Sequence, residues 1–358
     1  SAMEKEAVAE IAAMFGWRDC LGHLCGGGTL ANLEALWVAR ELLPGKRFVA
    51  SEMAHYTQAR LSGVLGVKFS AVPCDSRARM DVVALEKIVR AGDVGCVVAT
   101  AGTTGMGALD PIPEILRLRD RYGFRLHVDA AYGGYFTLAS NLSRETRAAF
   151  DALGQADSLV VDPHKHGLQP YGCGCVLFRD PAVGTVYKHD SPYTYFTSSE
   201  LHLGEISLEC SRPGASAVAL WATQKLLPLV SGGEFAAGLE ACRDAAMQFH
   251  VRLRSDERWV VPFAPELDIV VWAPRAGSAR RISELSRRIF DAAARRNLHL
   301  AMFRLPVRFL TACDASIKPD QEEAVCLRSV LMKPEHRAWL DRLWEGLDRA
   351  ADEAAMGN

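Results

Sequence analysis

Four short, almost wholly apolar runs recur along the chain: "GCVVATAG" (95–102), "RLHVDA" (125–130), "SLVVD" (158–162) and "GCVLFRD" (174–180). Runs without polar alternation belong to strands covered on both faces, which is the condition of a parallel sheet flanked by helices. The segments around them supply those helices. "TLANLEALWVARELL" (29–43) has helical spacing and is stopped by Pro44-Gly45. Further helices are predicted over 4–15, 55–66, 81–92 and 111–122, with short strands at 47–51 and 67–73. Strand and helix alternating at this spacing predict an α/β fold with a doubly wound, mainly parallel sheet. Past residue 216 the character changes. Two helices (216–229 and 233–254) lead to a strand at 267–273, a helix at 279–296, more strands and a last helix at 335–353. The expected organisation is a large domain over 1–254 and a smaller α+β domain over 255–358.

Composition narrows the function classes. The chain has 358 residues, of which 49% are hydrophobic and 23% charged, enough for a substantial core. A net charge of −2 gives no bulk attraction to nucleic acid or to an anionic membrane. No apolar run reaches the roughly 18 residues of a spanning helix, and the opening "SAMEKEAV" does not read as a signal peptide. Ten cysteines scattered through apolar segments suggest buried, reduced thiols in a cytoplasmic protein rather than a disulfide framework. "CGC" at 173–175 has no partner cluster at zinc-ligand spacing, so no metal site is expected.

In open α/β sheets ligands bind beyond the carboxyl ends of the strands, and the chemically unusual residues fall at such ends. "VDPHKHGLQPYG" (161–172) places Lys165 between two histidines, just past an Asp-Pro step that begins at Asp162. "GGGTLAN" (26–32) leads a glycine run into a helix, where Gly28, the first amides and the Thr29 hydroxyl make an anion site, or simply a flexible turn with an N-cap. His55 lies just past a strand, where a lone histidine is more often structural than functional. Asp129 ends an apolar strand, and a buried carboxylate there needs a partner: an Arg or Lys elsewhere, or the ring nitrogen of a cofactor. Together an anion cradle, a strand-end Asp, a flat His and a loop Lys fit pyridoxal 5'-phosphate. Lys165 would take the cofactor's aldehyde, aided by the lowered pKa of a desolvated amine. Asp129 would keep the ring nitrogen protonated, and His164 would reach the phosphate.

"VDAAYGGYF", then "DPHKHG" about thirty residues on, with "AGTTGMGALDP" upstream, resembles the group II pyridoxal-phosphate decarboxylases of the aspartate-aminotransferase-like fold. The resemblance runs from about residue 4 to 350, with the motifs in order. It implies Lys165 as the cofactor lysine and Asp129 as the partner of the ring nitrogen. It sets His55 of "AHYTQAR" and Ala131 on the two faces of the ring. Gly28, Thr29 and His164 match the phosphate site, with Asp162 counted among the cofactor-binding residues, and Thr104 of "GTTG" matches a residue near the ring oxygen. Arg328 of "CLRSVLMKP" matches an arginine near the substrate carboxylate, or else makes a salt bridge within the small domain. A tyrosine on a loop reprotonates the substrate Cα in this family, and "YKHDSPYTYF" (187–196) offers Tyr193 and Tyr195, which are otherwise interface aromatics.

The implied activity is decarboxylation of an L-amino acid to an amine and CO2, by a homodimer whose active site lies at the interface. Two features depart from the family pattern. His166 stands where many members have Trp, and "HKHGLQPYGCG" is also similar to sphingosine-phosphate lyases, which cleave a carbon–carbon bond. Such a lyase needs a second phosphate site, for which Lys188, His189 and Arg212 are the available groups. A non-catalytic relative is the third reading, disfavoured by the joint presence of Lys165, Asp129 and His55. Members also carry a substantial segment ahead of the stretch matching "AMEKEAVAEIAAMFGW", which swaps between subunits. That segment is expected to be absent from this chain.

Overall fold

The structure, a computed structural model, describes residues 2–188 and 207–356. Its contacts divide the chain into two compact units, residues 1–104 with 108–236, and residues 105–107 with 237–358. The first unit contains α1 (Ala2–Ala13), β1 (Leu21–Cys25), α2 (Gly28–Leu42), β2 (Arg47–Ser51), α3 (Thr57–Val64), β3 (Phe69–Val72) and α4 (Val82–Val89). It continues with β4 (Val94–Thr100), α5 (Ile112–Tyr122), β5 (Arg125–Asp129), α6 (Arg144–Asp151), β6 (Ser158–Val161), β7 (Gly174–Phe178) and α7 (Ala215–Leu226).

The seven strands lie in the order β1-β7-β6-β5-β4-β2-β3. Pairing is parallel from β6 through β5, β4 and β2 to β3. β7 alone runs against its neighbours, β6 and β1. The sheet is thus mainly parallel, as its apolar runs imply, and every residue of β4, β6 and β7 is buried. Local chemistry sets the helix ends. The Asp81 carboxylate accepts from the Val83 and Ala84 amides to cap α4, and Gly123, at φ 74°, ends α5 in the left-handed region.

Two elements of the first unit were not foreseen. β1, "LGHLC", is too short and too mixed to show alternation, yet it forms an edge strand by pairing with β7. α6 is capped by the Ser143 hydroxyl on the Thr146 amide, but its sequence "RETRAAFD" is too polar to stand out. The helix expected over 55–66 begins only at Thr57, which leaves His55 outside it.

α2 fixes the geometry that matters for the site. One side of it packs Ala31, Ala35 and Val38 against Val160, Val176 and Phe178. The other packs Leu36 and Ala39 with Phe48, Ala50, Cys96 and Val98. Held on both sides, the helix has one available position over the sheet, and its first residue, Gly28, comes to lie against Asp162, just beyond β6.

The second unit holds α8 (Glu234–Arg254, its first turn counted with the first unit), β8 (Trp259–Val260), β9 (Ile269–Pro274) and α9 (Ala279–Ala294). β10 (Ala301–Pro306), α10 (Val307–Cys313), β11 (Glu323–Val330) and α11 (His336–Met356) follow. Its antiparallel sheet has the order β10-β11-β9-β8. Trp272, fully buried, meets Trp259 edge-on at 4.8 Å and donates its indole N–H to Ser329 Oγ at 3.1 Å. The division at 236 differs from the expected 254 because α8 contributes Ala245, Ala246, Phe249 and Leu253 to this core. Residues 105–107 join the same unit, with the Phe303 ring lying directly over Gly105.

All ten cysteines are free thiols. They are not uniformly buried: Cys210 and Cys313 are exposed, and Cys20 and Cys74 are partly so. Among the described residues no helix is long and apolar enough to cross a membrane.

Candidate active site

A cavity of about 570 Å3 opens in the first unit beyond the carboxyl ends of β4, β5 and β6. Gly28, Thr29, His55, Thr104, Asp129, Ala131, Asp162, His164 and Lys165 all line it. Gly26, Asn32, Thr57, Thr100, Gly102 and Tyr132 share the lining without having been singled out from the sequence.

The glycine turn before α2 forms one wall. Gly27 has φ 142°, a backbone state that side chains rarely adopt, and a Cβ there would stand 3.0 Å from His164 Cε1. A Cβ on Gly28 would stand 2.6 Å from Asp162 Oδ2. A helix start leaves its first amides without intrahelical partners. In α2 the Leu30 and Ala31 amides turn back to Gly27 O, at 3.0 Å each, while Gly28 and Thr29 border the cavity. That is the arrangement of an anion cradle.

Asp129, the last residue of β5, is 7% exposed. Its Oδ2 accepts from Gln58 Nε2 at 2.9 Å and its Oδ1 from the Ala131 amide at 3.2 Å. Both donors are neutral. The Arg or Lys partner that the sequence left open is not among these contacts.

Lys165 follows β6 in the loop that leads to β7. Its Nζ lies 3.0 Å from Asp162 Oδ2, and His164 Nε2 lies 3.5 Å from the same oxygen. Burial pushes the Asp162 carboxyl above the ordinary range, while the charges of Lys165 and His164 pull it back down. Asp162 Oδ1 and His164 Nδ1 are buried without a hydrogen-bond partner among the described residues. The second histidine of the motif has a different place. His166 is buried, its Nδ1 2.9 Å from Tyr132 O, and its ring packs edge-on against Tyr132 and Phe136. The motif therefore offers one imidazole to the cavity and one to the core.

His55 Nδ1 accepts from the Thr57 amide at 3.3 Å and lies 2.7 Å from Thr57 Oγ1, which fixes the proton of the neutral ring on Nε2. Burial depresses its pKa, so the ring faces the cavity uncharged at neutral pH. Tyr56 lies against it, with ring centroids 4.3 Å apart. Thr100 ends β4 beside Asp129, and its hydroxyl is buried without a hydrogen-bond partner among the described residues.

Other expected residues lie elsewhere. Tyr193, Tyr195 and His189 fall outside the described residues. Arg328 sits on β11 of the second unit, where its Nε donates to Gly105 O at 3.0 Å. Arg212 is paired with the buried Glu4.

Residues 29–274 match the family model for the pyridoxal-dependent decarboxylase conserved domain. The chain belongs to that family. An L-tyrosine decarboxylase of Enterococcus faecium is 27% identical over 82% of this chain and 66% of its own length. An L-aspartate decarboxylase of Thermococcus kodakarensis is 33% identical over 63% of this chain and 58% of its own. The chain thus spans about six tenths of the length of such curated relatives. Among solved structures, Oryza sativa TDC with PLP and tryptamine superposes with a TM-score of 0.83 at 19% identity, covering 100% of this chain and 76% of that one. A sphingosine-1-phosphate lyase of Burkholderia pseudomallei gives 0.79 at 20% identity, covering 99% and 77%. At such identities these two likenesses speak for the fold.

The family's cofactor is pyridoxal 5'-phosphate, and the cavity's own chemistry fits it. The Cβ-free turn at Gly27–Gly28 and the unpartnered His164 Nδ1 suit a phosphate. Asp129, compensated only by neutral N–H groups, suits a protonated ring nitrogen. The Lys165 amine suits an aldehyde.

His127, one residue pair behind this wall, is fully buried in a polar chain, with Nδ1 2.8 Å from Ser158 Oγ and Nε2 2.9 Å from Asn32 Oδ1. Burial lowers its pKa from 6.5 to about 4. Between those values the unfolded chain binds a proton that the folded chain does not, so stability falls as pH drops through this window. The expected loss by pH 4 is roughly 3 kcal/mol. Denaturant unfolding of the parent and of His127→Gln across pH 4–7 checks this: the variant should lack that part of the acid slope.

Proposed function

We propose that this protein is a pyridoxal-phosphate-dependent decarboxylase that converts an L-amino acid to an amine and CO2. The observation that carries the reading is the convergence of Lys165, Asp129, His55 and the Gly28–Thr29 turn on one cavity within one unit. When bound, the cofactor supplies a ring that accepts the electrons of the breaking Cα–carboxylate bond. The chain's own residues do the rest. Gly28, Thr29 and His164 would hold the phosphate, and Asp162 orients the Lys165 amine, which would hold the aldehyde. His55 and Ala131 would hold the ring, Thr104 would lie near its oxygen, and Asp129 would keep a proton on its nitrogen. Arg328 is assigned to the substrate carboxylate, and Tyr193 or Tyr195 to returning a proton to Cα, both on the family resemblance.

A carbon–carbon lyase is less well supported. Its second phosphate site would draw on Arg212, whose guanidinium is already paired with Glu4. A non-catalytic relative would have no use for a lysine and an aspartate kept together at one cavity. A homodimer is supported by the exposed apolar groups beside the site: Tyr56 is 65% exposed, Leu168 59% and Tyr171 91%, and Tyr171 lies against His164. Such a rim is what a second copy would cover. The free thiols favour a reducing compartment, the cytoplasm.

Purified protein supplied with cofactor should release CO2 from one of a panel of amino acids, beginning with L-tyrosine and L-aspartate. Borohydride should then fix the cofactor on Lys165, and a label mapped to Lys188 or Lys225 instead would sink the assignment. Replacing the acting loop tyrosine with Phe should slow turnover by about 10²–10⁴-fold with cofactor binding retained. If both Tyr193→Phe and Tyr195→Phe turn over like the parent, the proton comes from elsewhere. Light scattering should give a dimer, with an interface of roughly 2,000 Å2 or more. An active monomer would refute it.

A further inference from the structure

We propose that Asn32 and Gln58 are positioning residues: a hydrogen-bond chain anchored on the Gly28 carbonyl obliges Gln58 to present N–H to Asp129, holding that carboxylate as an acceptor whose charge is left for the cavity.

The polarity of the chain follows link by link. A backbone carbonyl can only accept, so the Asn32 atom 2.7 Å from Gly28 O is the amide nitrogen Nδ2. Asn32 Oδ1 therefore faces inward, and every group around it must donate. Gln58 does so through Nε2 at 3.0 Å, and His127 through Nε2 at 2.9 Å. The second hydrogen of Gln58 Nε2 then points to Asp129 Oδ2 at 2.9 Å. With its Nε2 protonated and the ring neutral, His127 has a bare Nδ1, which accepts from Ser158 Oγ at 2.8 Å.

The cost of this arrangement identifies its direction. Gln58 is 1% exposed, and its Oε1 is buried with no hydrogen-bond partner among the described residues. An unpaired buried amide oxygen costs about 1–3 kcal/mol. Flipping the amide would not relieve it, because Oε1 would then meet two acceptors, Asn32 Oδ1 and the Asp129 carboxylate. The Asn32 orientation, itself fixed by Gly28, keeps Gln58 in the donating state.

Two consequences reach the cavity. No link in the chain is a cation, so nothing in it neutralises Asp129, whose carboxylate stays available to the cavity. The chain also begins on Gly28, the residue packed against Asp162 in the anion cradle, and ends on Asp129. The walls that would hold the phosphate and the ring nitrogen are thus tied through α2, α3 and β5.

This inference rests on the proposed cofactor for the nature of the occupant, and the experiment separates the two. Pyridoxal 5'-phosphate is titrated into the full chain, followed by fluorescence, for the parent, Gln58→Met, Gln58→Glu, Asp129→Asn and the double variants. Gln58→Met preserves volume, so the test does not hinge on the Glu variant folding. Losing a hydrogen bond to a charged group should weaken cofactor binding about ten- to hundred-fold in Gln58→Met, and at least as much in Gln58→Glu, where an acceptor replaces the donor. Neither change should add to the loss caused by Asp129→Asn, because both act through that carboxylate. With ring-¹⁵N-labelled cofactor bound, the nitrogen resonance should move toward that of an unprotonated pyridine in both Gln58 variants, a change that simple loosening of the packing would not produce. Unchanged affinity and resonance in folded Gln58 variants, or losses that add fully to Asp129→Asn, would overturn the positioning role alone. A parent that does not bind the cofactor would overturn the proposed function and this inference together.

Discussion

Asp129 is a carboxylate on the central strand of a seven-stranded sheet, buried and compensated by two neutral amides. An arrangement of that kind is costly unless a cation completes it. Much of the surrounding structure can be understood as support for that charge. The parallel strands place it at the sheet's carboxyl edge, α3 brings Gln58 to one oxygen, and the turn after β5 brings the Ala131 amide to the other. The cavity faces this carboxylate, and the ring nitrogen of the proposed cofactor would supply the cation there.

The strands and most of the helices were legible because burial on two faces leaves an unmistakable apolar run, and because Pro44-Gly45 and Gly92 mark where helices stop. β1 was not legible, since five residues that include a glycine and a histidine carry no period and become a strand only by pairing with β7. The division between the compact units lies at 236 rather than at 254 for a related reason. α8 is one continuous helix in sequence, and only its side-chain contacts reveal that most of it serves the second core.

At the site, the legible residues were those whose chemistry is unusual where they stand: a lysine in a loop after an apolar strand, an aspartate ending one, a triple glycine before a helix. Asn32, Gln58 and Thr100 were invisible because nothing about a polar residue on a helix, or at a strand end, announces its partners. Gln58 meets Asn32 across 26 residues of chain and Asp129 across 71, and His127 meets Asn32 across 95. His166 parts from its neighbour in the motif: it turns into the core, with its ring nitrogen against a backbone carbonyl.

The reversed direction of β7 has a consequence for how Lys165 is held. In a parallel sheet each strand is followed by a crossover that leaves the carboxyl edge and returns at the far end. Because β7 runs back along β6, with Val161 opposite Cys175, the Lys165 segment leaves and re-enters the sheet at the same edge. It is a closed loop with both stems clamped, pinned again inside by the His164 amide on Cys173 O and the Lys165 amide on Asp162 O. Closure of so short a loop is entropically settled once the two strands pair. The Lys165 amine therefore inherits its position from strand register: a slip of one residue between β6 and β7 would change the length of the loop and turn the slipped strand's side chains to the opposite face.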